Sequence, residues 1–404
     1  FKCGKIAQAN DVIMRACRLD TANPDLYNNA GVLLKALRKL DDAIKYFDIA
    51  ISLKTDHANA HYNKANSLRC IDRLEASLVC FDQAIYYQPN FANAYYNRAK
   101  TLFRLKRYAK AAKDFTVTLK LRPGDWESHY GLGNTFFEMG ALEKAISHLN
   151  IAAKSKPDNA LIHLLLGDCW RELSQEETAK QKYQDAISAK FHDLNHVGSL
   201  LFSLHYLSDP CLYKSIDKAD LVSRAQLDKP AAPLSSNSFR QRPEKLRIGF
   251  LSPDLNKHPV GYFLEHFTSC LTKTKFEWIA FPVRQKSDSL TARLKPNFCE
   301  WLSINSHDDK EAANFIYDQK IDILIDLSGH TAHNRLGIFN WRPAAIQASW
   351  LGYFATTGLK HMDYIIGDPF VTPLDEQSDF TETIIQMPKS FLCFSTPKPN
   401  CLVN

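Results

Sequence analysis

The chain has 404 residues, with 45% hydrophobic and 23% charged side chains, enough for two or three domains with ordinary soluble cores. A net charge of +6 with no long Lys/Arg block gives no sign of a nucleic-acid partner, and no apolar run is long enough to span a bilayer. Ten cysteines lie scattered, without a CxxC pair or zinc spacing, and read as thiols of a reducing compartment such as the cytoplasm.

The first half of the chain carries a register of 34 residues. Pro89, Pro123 and Pro157 are equally spaced (123 − 89 = 34, 157 − 123 = 34), and the same step leads back to Thr55 and Thr21 and forward to Phe191. Before each repeat end the same types recur. One small set is Ala43, Ser77, Ala111, Ala145 and Ala179, and one large set is Phe47, Phe81, Phe115, Leu149 and Tyr183. A second small set is Gly31, Ala65, Ala99, Gly133 and Gly167. Small residues suit close helix crossings and large ones fill the gap to the next hairpin, so the spacing predicts stacked helical hairpins resembling tetratricopeptide repeats. Residues 22–191 give five full repeats, preceded by the second helix of another, so the array is expected to cover 1–191 and to continue a longer one. Asn29, Asn63 and Asn97 share one register position and would form a row along the array. A carboxamide donates and accepts, so the row suits an extended peptide backbone; polar solvation of an inner face is the competing reading. Tyr95, Tyr96 and Trp126 are expected to be packing residues.

Residues 192–243 read as a capping helix over Val197–Leu207 followed by a Pro/Ser/Asn-rich linker, Lys229–Pro243. From 244 to 404 the pattern changes to strands alternating with helices. Strands are expected at Leu246–Leu251, Phe276–Val283, Ile321–Leu327, Ile346–Leu351 and Tyr364–Ile366, with helices at Tyr262–Leu271 and Asp308–Gln319. That alternation predicts a parallel three-layer α/β sheet, whose ligand edge lies beyond the strand C-termini. The loops there are SPDLNKHP (252–259), SGHTAHNR (328–335) and GYFATTG (352–358). None contains GxGxxG, a P-loop, GxSxG or HExxH, so common nucleotide, hydrolase and zinc-peptidase signatures are absent.

The runs LRIGFLSPDLNKHPVGYFLEHF (246–267) and IDILIDLSGHTAHNRLGIFNWRPAAIQASWLGYFATTGLKHMDYIIGDP (321–369) resemble the catalytic domain of the O-linked N-acetylglucosamine transferase family, its bacterial and SPINDLY-like members above all. The resemblance implies a two-lobed GT-B glycosyltransferase with Rossmann-like lobes. It also implies transfer of N-acetylglucosamine from UDP-N-acetylglucosamine to Ser or Thr of proteins, with inversion and without a cofactor or metal. The residues to 404 reach only through the first lobe, so the chain alone is expected to be inactive. GDP-fucose as donor, or a non-catalytic peptide-binding scaffold, are the alternatives. By resemblance His258 is the residue handling the acceptor proton, a task imidazole suits. His330, Thr331, Asn334 and Arg335 read either as an anion-binding turn or as a helix cap with a local ion pair. Tyr353, Thr356 and Thr357 lie on a loop that either touches the sugar or phosphate or serves as a turn, with Phe354 where the family commonly has proline. Asp254 either orients the first loop or forms an ordinary turn.

Overall fold

A computed structural model describes residues 3–191, 193–225, 232–234, 245–270 and 276–393, with the side chains of 3–8 and 10 left aside. The linker predicted at Lys229–Pro243 falls almost wholly outside the described residues. The chain divides into two compact units, Phe1–Ala179 and Lys180–Asn404.

The first unit is a stack of helical hairpins. Helix α1 (Cys3–Leu19) precedes the pairs α2 (Pro24–Ala36)/α3 (Leu40–Leu53), α4 (Ala58–Cys70)/α5 (Leu74–Tyr87), α6 (Ala92–Arg104)/α7 (Tyr108–Leu121) and α8 (Trp126–Glu138)/α9 (Leu142–Ser155), and α10 (Ala160–Glu172) follows. The 34-residue register is the packing register. Phe47, Phe81, Phe115 and Leu149 are buried to within 2% of complete, as are Ala65 and Ala99. A Cβ on Gly31 would stand 2.5 Å from the Phe47 ring, and one on Gly133 would stand 2.7 Å from Leu149 Cγ. Small residues sit there because the facing large ones leave no space for a side chain. Tyr96 packs edge-on against Phe115 at 5.9 Å, and Trp126 packs at the rim of the cluster around Leu149, as the sequence predicted for packing residues.

A second register appears in the turns. Arg38, Asp72, Lys106, Gly140 and Ser174 all have φ between 57° and 71°, one per repeat. Each closes a first helix with a paired 6→1 and 5→2 hydrogen-bond pattern, such as Arg107 N–H to Leu102 O at 2.8 Å with Lys106 N–H to Phe103 O at 2.8 Å. Only Gly140 is the residue type that this left-handed backbone favours. Lys106→Gly is therefore expected to raise stability by about 0.5–1 kcal/mol, and Gly140→Ala to lower it by about as much, read as opposite shifts of the urea midpoint.

In the second unit, α11 (Glu176–Ser188), α12 (Leu194–Leu204), α13 (Cys211–Ser215) and α14 (Lys218–Ala225) lead into an α/β lobe. Its elements are β1 (Leu246–Ser252), α15 (Pro259–Cys270), β2 (Phe276–Pro282), α16 (Ser289–Leu294), β3 (Glu300–Trp301), α17 (Asp309–Asp318), β4 (Ile323–Asp326), β5 (Ile346–Trp350), β6 (Tyr364–Gly367) and β7 (Thr383–Gln386). Every strand pairing is parallel, in the order β3-β2-β1-β4-β5-β6-β7. On one face of the sheet, Phe250, Leu264, Leu290 and Leu327 are completely buried in one apolar cluster. The direction of winding reverses between β1 and β4. Beyond the C-terminal ends of those two strands lies the crevice where open parallel sheets take their ligands.

Candidate active site at the strand switch point

The loop from β1 carries His258, and the sequence holds that loop still by local bonds. Ser252 Oγ accepts the Asp254 N–H at 3.0 Å, and Asn256 Nδ2 donates to Pro253 O at 3.2 Å. Asp288 caps α16 through the N–H groups of Leu290 and Thr291, and its second oxygen accepts the Lys257 N–H at 2.7 Å. The Lys257 N–H is the first reason that the Asp288 carboxyl stays below the ordinary range. Underneath, Gly261 lets α15 approach: a Cβ there would stand 2.3 Å from Asn256 O and 3.1 Å from Asp254 O. Gly261→Ala must displace the His258 loop, and a loss of about 1–3 kcal/mol in urea unfolding is expected.

His258 itself is 43% exposed, with Nδ1 3.8 Å from Asp254 Oδ2 and 3.4 Å from the Val260 nitrogen. Both neighbours meet Nδ1, which leaves Nε2 as the nitrogen that faces outward.

The turn after β4 is built differently from a free anion cradle. Asp326 is buried at the strand end, where desolvation pushes its carboxyl up to about 7, and it accepts the Gly329 N–H at 2.5 Å. Thr331 Oγ1 donates to Ser328 O at 2.8 Å, and Asn334 Nδ2 donates to Thr331 O at 2.8 Å. Asn334 Oδ1 accepts the Leu336 N–H at 3.2 Å, which opens the 3-10 turn Leu336–Trp341. Arg335 is committed to Asp309 at 2.5 Å and to His307 O at 3.0 Å. Of the two readings of this cluster, the cap and local ion pair are what these bonds form.

His330 is 5% exposed and donates from Nε2 to Thr357 O at 2.9 Å, while its Nδ1 faces the Gly198 position of α12, where a Cβ would stand 2.8 Å away. Burial pulls its pKa down to about 4, and burial does the same to His205. The unfolded chain takes up protons near pH 6.5 that these two rings refuse until near pH 4. Stability of this unit is therefore expected to fall as pH drops across that window, by about 1.4 kcal/mol per pH unit for a fully buried ring. Urea midpoints measured from pH 7 to pH 5 check this, and His330→Gln should flatten the slope.

The third loop turns its polar groups inward. Thr356 and Thr357 are fully buried; Thr356 Oγ1 donates to Glu382 Oε2 at 2.6 Å, and the Thr357 N–H and hydroxyl both reach Glu382 Oε1. Their hydroxyls thus hold β7 to the loop rather than face a ligand. Tyr353, 4% exposed, shares a hydrogen bond with His205 Nε2 at 3.1 Å and meets His330 edge-on at 5.5 Å. Phe354 stacks 4.8 Å from His205, so it anchors this loop to the residue that ends α12.

A cavity of about 820 Å3 opens between α12 and these loops, lined among others by Asn195, Ser199, Arg284, His330, His333 and Arg335. Thr331 and Asn334 line it as well; His258, Tyr353, Thr356 and Thr357 do not. Arg284 and His333 were not singled out from the sequence. Arg284 falls just past the end of β2, and His333 sits among the more conspicuous residues of SGHTAHNR; a reading that gave every strand-end loop equal weight would have reached Arg284.

In the first unit the asparagine row is present but partly spent. Asn63 Nδ2 donates to Asn28 Oδ1 at 2.9 Å, and Asn97 Nδ2 donates to Tyr62 Oη and Asn93 O, both at 3.0 Å. Each amide therefore reaches 35 residues back to the preceding first helix, and Asn29 is exposed at the head of the row.

Among the described residues no group of three or more His, Cys, Asp or Glu is placed to hold a metal ion, and no helix is long and apolar enough to cross a membrane. Residues 216–396 match glycosyl transferase family 41, and 24–57, 80–113 and 102–169 match tetratricopeptide repeats. A probable UDP-N-acetylglucosamine–peptide N-acetylglucosaminyltransferase SPINDLY of Arabidopsis thaliana is 38% identical over 162 residues, 39% of this chain and 18% of that protein. The similarly named SEC protein of the same plant is 28% identical over 149 residues, 37% of this chain and 15% of that protein. A solved Thermobaculum terrenum O-GlcNAc transferase mutant superposes with a TM-score of 0.57 at 26% identity, over 85% of this chain and 59% of that one. The aligned part is thus under a fifth of the length of these curated relatives. Tetratricopeptide-repeat matches followed by a glycosyl transferase family 41 match give the chain, over these residues, the same order of parts that the O-GlcNAc transferase relatives share.

Proposed function

We propose that the chain supplies the acceptor-side lobe and the acceptor-recruiting repeats of a protein O-glycosyltransferase that moves a sugar from a nucleotide donor to Ser or Thr. The observation that carries the reading is the position of His258: an accessible imidazole on the β1 loop, at the reversal point of a family 41 sheet. In the reaction, the acceptor hydroxyl oxygen bonds to the anomeric carbon as the bond to the nucleoside diphosphate breaks. With the His258 proton on Nδ1 and turned to Asp254 Oδ2, in place of accepting the Val260 N–H, Nε2 is unprotonated and takes the hydroxyl proton; a single displacement inverts the anomeric centre. No resident cofactor or metal enters this scheme, and the nucleotide sugar is a substrate.

The cap of Thr331 and Asn334 and the Arg335 ion pair shape the turn after β4, and the Tyr353–Thr356–Thr357 loop is held to α12 and to Glu382. Partners of the enzyme would be proteins or peptides drawn along the repeats, where Asn29, Asn63 and Asn97 retain their remaining amide capacity. Its scattered free thiols suit the cytoplasm. Incubating the chain, together with any further sequence its gene encodes, with labelled UDP-N-acetylglucosamine and GDP-fucose in parallel tests the reading and separates the donors. UDP-N-acetylglucosamine is the expected donor; label from GDP-fucose alone would replace it. No label on protein from either donor would sink the enzymatic reading.

A further inference from the structure

The cavity beside α12 has two walls with opposite hydrogen-bonding demands. On the α12 wall, the Ser199 hydroxyl already donates to Asn195 O at 3.0 Å, and Asn195 Nδ2 donates to Asp193 Oδ1 at 2.9 Å. What these side chains still offer the cavity is two acceptor oxygens, Ser199 Oγ and Asn195 Oδ1, beside the second Asn195 N–H. The opposite wall carries Arg284, exposed and without a carboxylate within ion-pair distance among the described residues, and His333, whose pKa is lowered first by burial and then by the nearby Arg284 charge. His333 stands at φ 63°, a backbone conformation few non-glycine residues take. Arg335, the other guanidinium on this side, is already paired with Asp309. Asp254, the carboxylate felt by His333, lies toward His258, so an incoming anion is steered to the Arg284 side.

A ligand that satisfies both walls presents N–H donors to α12 and an anion to Arg284. A polypeptide with an acidic side chain does both, whereas a diphosphate has no donors for α12. Resting on the glycosyltransferase reading, we propose that this cavity is an acceptor subsite that selects an acidic residue near the modified Ser or Thr, with Arg284 as the specificity-determining side chain and His333 as a second donor.

The test is equilibrium binding, which needs no turnover and so fails independently of the enzymatic reading. A fluorescent Ser-containing peptide with flanking Glu is compared with its Gln counterpart by anisotropy. The acidic peptide should bind the wild-type chain about tenfold tighter. Arg284→Ala should erase that difference, and Arg284→Lys should keep part of it. Inorganic pyrophosphate, added as competitor, reports the other source of the same anion chemistry. Equal affinity of the two peptides for the wild-type chain, or a preference that survives in Arg284→Ala, overturns the proposal. So does displacement by pyrophosphate at concentrations where excess free glutamate peptide has no effect, which would assign the anion to the donor.

Discussion

Replacing His258 by alanine is expected to slow sugar transfer about 100- to 10,000-fold while leaving acceptor affinity unchanged. The size follows from the role: a positioned base acts in the transition state, not in the bound ground state, so kcat falls and KM holds. The side chain can be removed without unfolding because it is 43% exposed and, among the described residues, its close polar neighbours are the Val260 nitrogen and the Asp254 carboxylate. The same geometry makes Asp254 a positioning residue. Asp254→Asn should keep some transfer and lower kcat with KM unchanged, because the amide orients the His258 ring less firmly than the carboxylate. A His258→Ala enzyme with wild-type kcat would remove the imidazole from the chemistry.

Glu382→Ala is expected to cost the second unit about 3–5 kcal/mol. Glu382 is 1% exposed and accepts from the Thr356 hydroxyl, the Thr357 hydroxyl and the Thr357 N–H. Truncation leaves the Thr357 N–H and hydroxyl buried without an acceptor, while the Thr356 hydroxyl keeps Thr381 Oγ1 at 3.0 Å. Thr357→Val removes one donor together with its demand and should cost far less, about 1 kcal/mol. Urea unfolding of the three proteins checks the order; a Glu382→Ala loss no larger than that of Thr357→Val would contradict it.

These two residues also show what the sequence could and could not disclose. His258 was singled out through the resemblance of its run to a family motif; what the residues themselves disclosed was its place, since a strand end, a turn and a helix start follow one another within a dozen residues. Glu382 was not, because it reaches Thr357 across 25 residues and no periodicity links them. The repeats were legible for the opposite reason, since one packing rule is written five times over 34-residue intervals. Strand β7 escaped notice because Thr383–Gln386 is four residues long and alternates a buried Ile384 with an exposed Ile385. The Thr356–Thr357 pair reads as an available hydroxyl cluster until the carboxylate that consumes it is placed, and composition alone does not place it.

The most direct test is site-mapped mass spectrometry of an acceptor protein after incubation with nucleotide sugar and either wild-type or His258→Ala protein, each made with all the sequence its gene encodes. The account expects sugar on Ser or Thr from the wild type and almost none from the variant. Equal modification by both, or none by the wild type with either donor, would contradict it.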